Sequence, residues 1–221
     1  MDARPTAQKT AAKRGRPAGR TAFQEEQRRQ TRAAIMAAAA EVFSNAAYVY
    51  ATIDDITRAA GISRATFYMH FESKLALAFA IYEDISQDWQ EHFDKLSEPG
   101  QTDPANLKPW VQRLSGIYVD HGYVTSLVSQ LEIFEPAFRA RLRQDRLGLI
   151  DYLGDRGLSG FAKARGAAKA AQLRRAEGAL LLRRLDQICG DLAHPDALSP
   201  EDAEIYTNIA VKELNEFING N

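Results

Sequence analysis

Apolar residues recur every three or four positions along most of the chain, which is the spacing of one face of an α-helix. The pattern predicts a helix over about residues 24–45, short helices over 52–60 and 64–70, and a longer helix over 74–96. It predicts further helices between residues 110 and 157, interrupted near Pro136, then one over 168–192 and a last one from Pro200. Since no segment alternates like a β-strand, we expect an all-α fold.

Residues 52–71 carry the signals of two short helices joined by a tight turn. Thr52 followed by Asp55 is a capping box, in which each side chain satisfies a backbone amide of the other residue. Gly61 can adopt a positive φ without steric cost, and Ser63 is a good cap for the next helix. Two short helices joined by about three residues that include a glycine are typical of a helix-turn-helix.

The second short helix divides into an apolar side and a side with unusual polar residues. Phe67 and Phe71 are four residues apart and would anchor the helix to the preceding ones. An arginine can bind guanine through two hydrogen bonds, and a threonine can contact a thymine methyl. Tyrosine hydroxyls and lysine ammonium groups commonly bind phosphates. The polar residues that point elsewhere are Arg64, Thr66, Tyr68 and His70.

Residues 24–80 resemble the DNA-binding domain of the tetracycline-repressor (TetR) family of transcriptional regulators. One departure is Ala47, where the family often has a glycine before an aromatic residue, here Tyr48. The matching features are an alanine-rich first helix that ends in Val42-Phe43, the run from Thr52 to Ile56, the run from Ala59 to Ser63, and the run from Thr66 to Leu75.

The resemblance implies a sequence-specific regulator, most often a repressor, that binds a palindromic operator as a homodimer and is released by a small-molecule effector. It implies a helix-turn-helix domain over 23–73 and a helical effector-binding and dimerisation domain over 74–221. The last two helices would form the dimer interface, although they could instead simply close the monomer core. The implied major-groove contacts are Arg64, Ala65, Thr66, Tyr68, Met69 and His70, and the implied phosphate contacts are Tyr48, Thr52, Tyr68 and Lys74.

Charge is unevenly distributed along the 221 residues, which carry 28 Lys and Arg against 29 Asp and Glu. Residues 1–80 have a net charge of +5, and residues 81–221 have a net charge of −6. A basic front half suggests that one end contacts a polyanion such as DNA. A solvated basic tail would produce the same asymmetry.

The composition of residues 1–22 predicts a disordered basic arm. Organelle transit peptides have a similar composition, but here the basic residues form one cluster without an amphipathic apolar face. Within it, Arg14-Gly15-Arg16-Pro17 matches the core of an AT-hook, whose arginines enter a narrow minor groove. Non-specific attraction to phosphates is an equal alternative. Arg14 and Arg16 are therefore candidate DNA contacts.

Aromatic residues with a few polar tips follow one another between residues 110 and 134. A mostly apolar effector pocket between helices requires such a mixture, although ordinary core packing is the default role of apolar stripes. Regulators of the family usually hold an effector there, so we expect an apolar effector of unknown identity. The candidate effector contacts are Trp110, Leu114, Tyr118, His121, Tyr123, Gln130 and Phe134.

Several other classes of function lack support in the sequence. We expect no enzyme, cofactor or metal, because no nucleophile with its base, no ligand spacing and no phosphate-binding loop is visible, and the four histidines are scattered. The single cysteine excludes an internal disulfide, and no apolar run is long enough for a membrane span, so we expect a cytoplasmic protein. An architectural DNA-binding protein that uses the basic arm is the alternative, and an all-helical enzyme is a third possibility.

Overall fold

The computed structural model describes residues 18–194 and 196–219, with side chains from residue 22 onward. All regular secondary structure in these residues is helical, as expected, with an N-terminal helix-turn-helix unit followed by a larger helical unit. A short 3₁₀ turn occupies Lys95–Ser97. The helices are α1 (Ala18–Asn45), α2 (Ile53–Ala59), α3 (Arg64–Tyr68), α4 (Lys74–Asp94), α5 (Pro104–Asp120), α6 (Gly122–Phe134), α7 (Pro136–Asp155), α8 (Ser159–Ala162), α9 (Lys169–Ala193) and α10 (Pro200–Asn219).

The predicted helix-turn-helix is present between α2 and α3. Thr52 and Asp55 form the expected capping box, and the Ser63 hydroxyl accepts from the backbone amide of Thr66 at the start of α3. Gly61 has a φ of 64°, a backbone conformation that would be strained in a residue with a side chain. The side chain of Phe67, which belongs to α3, is fully buried on the inner face of this helix. Local capping and this one aromatic anchor together hold the short helix in place.

Two apolar clusters fill the molecule. The first joins α1, α2 and α3 to α4, α6 and the start of α7, and it includes Phe67 of α3 and Phe138 of α7. The second lies between α5, α7, α9 and α10 around Trp110, whose ring stacks on His92. Since α4 contributes to both clusters, packing is continuous across residue 74, and the boundary between the two domains stays a prediction.

Helix α1 begins earlier than expected. It starts at Ala18, so residues 18–22 do not belong to a disordered arm, and that part of the prediction for residues 1–22 is wrong. Alanine and arginine are strong helix formers, and a helix once started extends at little cost through such residues. The candidate contacts Arg14 and Arg16 lie outside the described residues.

Two predicted breaks contain helix. Helix α5 starts at Pro104, five residues before Pro109, because burial of the following apolar face outweighs the one hydrogen bond that the inner proline lacks. The glycine-rich stretch 157–166 contains α8, whose Gly160 lies against the backbone of Phe217 in α10. A Cβ at Gly160 would lie 1.6 Å from the Phe217 carbonyl oxygen, so the glycine permits this close approach.

Candidate functional site

Helix α3 presents most of its candidate DNA contacts to solvent. The Arg64 guanidinium donates to Asp54 Oδ1 of α2 at 2.7 Å and reaches the Tyr68 hydroxyl at 3.5 Å. Met69, at the end of the helix, is 67% exposed, and Ala65 is also exposed. The Thr66 hydroxyl lies 2.9 Å from the Ser63 hydroxyl, so it is partly engaged by the helix cap. This face is a protruding surface of mixed polar and apolar groups.

Arg28 and Arg32 of α1 lie beside the end of α3 and are not among the contacts expected from the sequence. The Arg32 guanidinium lies 4.2 Å from the centre of the Phe71 ring and donates to the His70 carbonyl oxygen. Partial burial lowers the pKa of His70, and the positive charges of Arg28 and Arg32 lower it further. The neutral imidazole is therefore favoured beside a positive patch. In the sequence, this positive patch was indicated by Arg28 and Arg32, which are four residues apart and so share one face of α1.

Tyr48 is only 3% exposed, which contradicts its predicted contact with a phosphate. Its hydroxyl donates to Glu135 Oε1 at 3.0 Å, and its backbone amide donates to Gln130 Oε1 at 2.7 Å. Burial and the Glu135 carboxylate raise the pKa of Tyr48. The neighbouring Tyr50, which the sequence analysis passed over, is 80% exposed and is the better candidate on this loop.

Lys74 also has partners inside the molecule. Its Nζ donates to the carbonyl oxygens of Tyr48 and Ala51 at 2.6 and 2.8 Å and lies 4.1 Å from the centre of the Tyr48 ring. Burial lowers the pKa of Lys74, while Glu135 opposes that shift. We call Tyr48, Lys74, Gln130 and Glu135 the Tyr48 junction, because they connect the loop before α2 to α4, α6 and α7. Thr52 stays exposed at the cap of α2.

A cavity of about 1200 Å³ lies between α4, α6, α7 and α9. Its wall combines aromatic rings, hydroxyl groups, carboxylates and guanidinium groups. Within it, Tyr118 donates to Asp186 Oδ1 at 2.7 Å, and Arg146 binds the other oxygen of the same carboxylate. The aromatic residues in the wall are Tyr82, Trp89, Phe93, Tyr118 and Tyr152.

Of the seven predicted effector contacts, Tyr118 alone lines this cavity. Trp110 and Leu114 are buried in the second apolar cluster, and the Trp110 indole donates to the His92 carbonyl oxygen. Helical spacing identifies an apolar face but not the face that borders a cavity, so most of the predicted set lies away from this one and stays a prediction. The remaining four lie elsewhere: His121 against Asp88, Tyr123 against the first apolar cluster, Gln130 in the Tyr48 junction and Phe134 exposed.

Between residues 18 and 219, leaving out residue 195, no three histidine, cysteine or carboxylate side chains come together in a way that would hold a metal ion. No helix in that part of the chain has the length and apolar character to cross a bilayer.

Residues 35–81 match the family model for the bacterial regulatory proteins of the tetR family. The chain is 31% identical over 99 residues to the HTH-type transcriptional regulator EthR of Mycolicibacterium smegmatis, a match that covers 45% of this chain and 43% of the relative. It is 38% identical over 90 residues to the HTH-type transcriptional activator FasR of the same organism, covering 39% and 38%. The chain thus spans less than half the length of these curated relatives.

Solved structures of similar fold extend over most of the chain. A TetR-like transcriptional regulator from Rhodococcus sp. RHA1 has a TM-score of 0.60 at 17% identity, covering 88% of this chain and 97% of the other. A transcriptional regulator from Aquifex aeolicus has a TM-score of 0.53 at 18% identity, covering 83% and 97%. At sequence identities this low, the similarity to these structures shows a shared fold only.

Replacement of Lys74 by methionine, which keeps the length of the side chain, tests whether Lys74 is structural. We expect the free energy of unfolding to fall by about 1–3 kcal/mol, because the Tyr48 and Ala51 carbonyl groups lose their donor. Denaturant unfolding measures the change, and Lys95→Met at an exposed position is the matched control. Unchanged stability together with weaker DNA binding would support the phosphate contact instead.

Proposed function

We propose that the chain, whose residues 35–81 match the family model for the bacterial regulatory proteins of the tetR family, is a sequence-specific DNA-binding regulator. The exposed face of α3 carries this proposal, because its side chains can reach base edges in a major groove. Arg64 and Thr66 are the proposed base-reading residues. The relatives named above are transcriptional regulators rather than enzymes.

Phosphate contacts are proposed for the groups that surround α3. Arg28 and Arg32 of α1 lie on one side, and Thr52 and Tyr50 lie at and before the cap of α2. Positive side chains and hydroxyl groups around a recognition helix position it on the duplex without reading sequence. Arg14 and Arg16 would add contacts from the basic arm.

The operator-bound form is proposed to be a homodimer through α9 and α10. Leu173 and Leu180 of α9 are exposed and seven residues apart, and Ile205 and Ile209 of α10 are exposed one turn apart. Large apolar side chains at such spacing are typical of an interface between copies of a chain. A two-fold dimer would bind a palindromic operator with half-sites about 34 Å apart.

We propose that the cavity holds the effector and that α6 transmits its presence to α3. The Ser126 and Ser129 side of α6 lines the cavity, while Gln130 holds the backbone amide of Tyr48. Gln130 also donates to the Ser126 hydroxyl, so one side chain joins the two surfaces. A ligand that shifts α6 would alter the Tyr48 junction and hence the position of α3 in each protomer. Release from an operator that overlaps a promoter would relieve repression.

Selection of bound sequences from random DNA tests the DNA-binding proposal. We expect a palindrome, and we expect Arg64→Ala to weaken binding to it by about tenfold or more, since one base-reading arginine contributes about 1–3 kcal/mol. Arg143→Ala at an exposed position of α7 is the control.

Uniform protection of DNA without a palindrome would favour the architectural alternative. Removal of residues 1–17, which leaves α1 whole, with affinity measured at two salt concentrations, separates a contribution of the arm from that of α3. Unchanged affinity and salt dependence would eliminate the arm.

Leu180→Glu tests the proposed dimer. A two-fold interface would bury this residue twice, so we expect the variant to be monomeric at micromolar concentration and to lose operator affinity. Sedimentation velocity measures the oligomeric state, and Val119→Glu on α5 is the exposed control. A wild-type chain that sediments as a monomer would contradict the proposal.

Gly148→Trp tests the proposed coupling without knowledge of the effector. Gly148 lines the cavity with open space around its missing Cβ, so the indole would occupy the cavity as a ligand does. We expect operator affinity to fall by about tenfold, within the usual range for allosteric coupling. Gly116→Trp on α5, also in open space but outside the cavity, is the control.

The same substitution in a Gln130→Ala background completes a double-mutant cycle. Without the bond between Gln130 and Tyr48, we expect the effect of Gly148→Trp to fall below about threefold. Equal effects in both backgrounds would exclude Gln130 as the connection.

A further inference from the structure

The proposed effector cavity, on which this inference rests, has more carboxylates than guanidinium groups in its wall. Five carboxylates and three guanidinium groups line it, giving a formal charge of −2 from these residues. Most effector pockets are largely apolar with a few placed polar groups, so this excess is a chemical feature of the site. The carboxylates are Glu132, Asp145, Asp186, Asp191 and Asp196, and the guanidinium groups are Arg141, Arg146 and Arg183.

The two guanidinium groups on α7 are each shared between two carboxylates. Arg146 lies 3.1 Å from Asp186 and 3.7 Å from Glu132. Arg141 lies 3.0 Å from Asp145 and 3.1 Å from Glu83, which lies outside the cavity. One positive charge cannot neutralise two negative charges. Each cluster of one arginine and two carboxylates therefore keeps a net negative charge.

Asp186 is one of the carboxylates that carry this excess into the cavity. Its side chain is 41% exposed although protein surrounds it, because that exposed surface faces the cavity. Burial raises the pKa of Asp186 despite the nearby Arg146 and the hydrogen bond from Tyr118. The carboxylate therefore lacks part of the stabilisation that a further positive group could supply.

Arg183 offsets little of the negative charge inside the cavity. It reaches Glu132 at 3.7 Å, but its side chain is 65% exposed. Water screens such a charge, and exposed ion pairs of this length contribute little. The positive charge that faces the interior is therefore mainly that of Arg146, whose side chain is only 15% exposed.

Aromatic rings cover other parts of the same wall. Trp89 and Tyr118 pack edge to face with ring centres 5.4 Å apart, and Phe93 and Tyr152 also line the cavity. Aromatic faces attract organic cations, and they also accommodate an apolar body. A cavity of about 1200 Å³ has room for a molecule with both parts.

We propose that the ligand of this cavity is an organic cation, an apolar molecule with a protonated or quaternary amine. Its charge would lie beside Asp186 and Glu132, and its apolar part would pack on Trp89, Phe93 and Tyr152. An organic anion would have to compete with both carboxylates for Arg146. The distribution of charge thus selects against an anion of the same shape.

Three probes with the same ten-carbon chain test the charge preference: decyltrimethylammonium, decan-1-ol and decanoate. Calorimetry on the full chain, below the concentrations at which the probes aggregate, measures their affinities at one ionic strength. We expect the ammonium to bind about tenfold or more tightly than the alcohol, and decanoate to bind most weakly.

Charge-removing variants locate the preference in the cavity. Asp186→Asn and, separately, Glu132→Gln are expected to weaken ammonium binding by about tenfold and to change binding of the alcohol by less than about threefold. Glu91→Gln, an exposed position on α4, is the matched control. The two variants are tested separately. If Asp186→Asn does not fold, Glu132→Gln still tests the charge preference.

The outcomes separate this inference from the proposed function. Equal or tighter binding of the alcohol or of decanoate would overturn the cation preference and leave the effector cavity in place. Absence of binding by all three probes would also overturn it. The effect of Gly148→Trp on operator affinity, which requires no probe, decides independently whether the cavity controls DNA binding.

Discussion

The position of α3 relative to the rest of the molecule depends on the Tyr48 junction. The backbone amide, the carbonyl oxygen and the hydroxyl of Tyr48 are bound by Gln130 of α6, Lys74 of α4 and Glu135 between α6 and α7, respectively. Because Tyr48 is buried and its polar groups are bound from three directions, this residue cannot move without breaking several hydrogen bonds together. The loop before α2 is therefore tied to the larger helical unit by polar contacts as well as by the shared apolar cluster.

Helix α6 is placed to connect the two proposed sites. Its apolar side, including Val124, Leu127 and Leu131, is buried in the cluster that also holds Phe67 under α3. Its polar side faces the cavity, where Glu132 shares Arg146 with Asp186. A helix packed on one side and facing a cavity on the other can respond to a ligand by a small shift as a unit, which is the type of movement that reaches a distant interface.

Interactions between residues close in sequence were predictable, and the helix-turn-helix consists mostly of them. The Thr52 capping box, the positive φ of Gly61 and the Ser63 cap each involve residues at most three positions apart. Their geometry follows from backbone chemistry that any such sequence shares. The burial of Phe67 was also predictable, since a short helix with one aromatic side has few ways to pack. The start of α1 was missed because no Ser, Thr, Asp or Asn directly precedes Ala18 to mark the helix start.

By itself, therefore, the amino-acid sequence determined the all-helical class, the helix-turn-helix and the chemistry on the exposed face of α3. Only the tertiary structure decided that Tyr48 and Lys74 face inward, that Trp110 belongs to the core and that the cavity lies beside Asp186. These outcomes depend on contacts between residues far apart in the chain, such as Tyr48 with Glu135 and Tyr118 with Asp186. Helical periodicity identifies which residues share a face, but the neighbour that the face meets, or the space it leaves, is set by how whole helices pack.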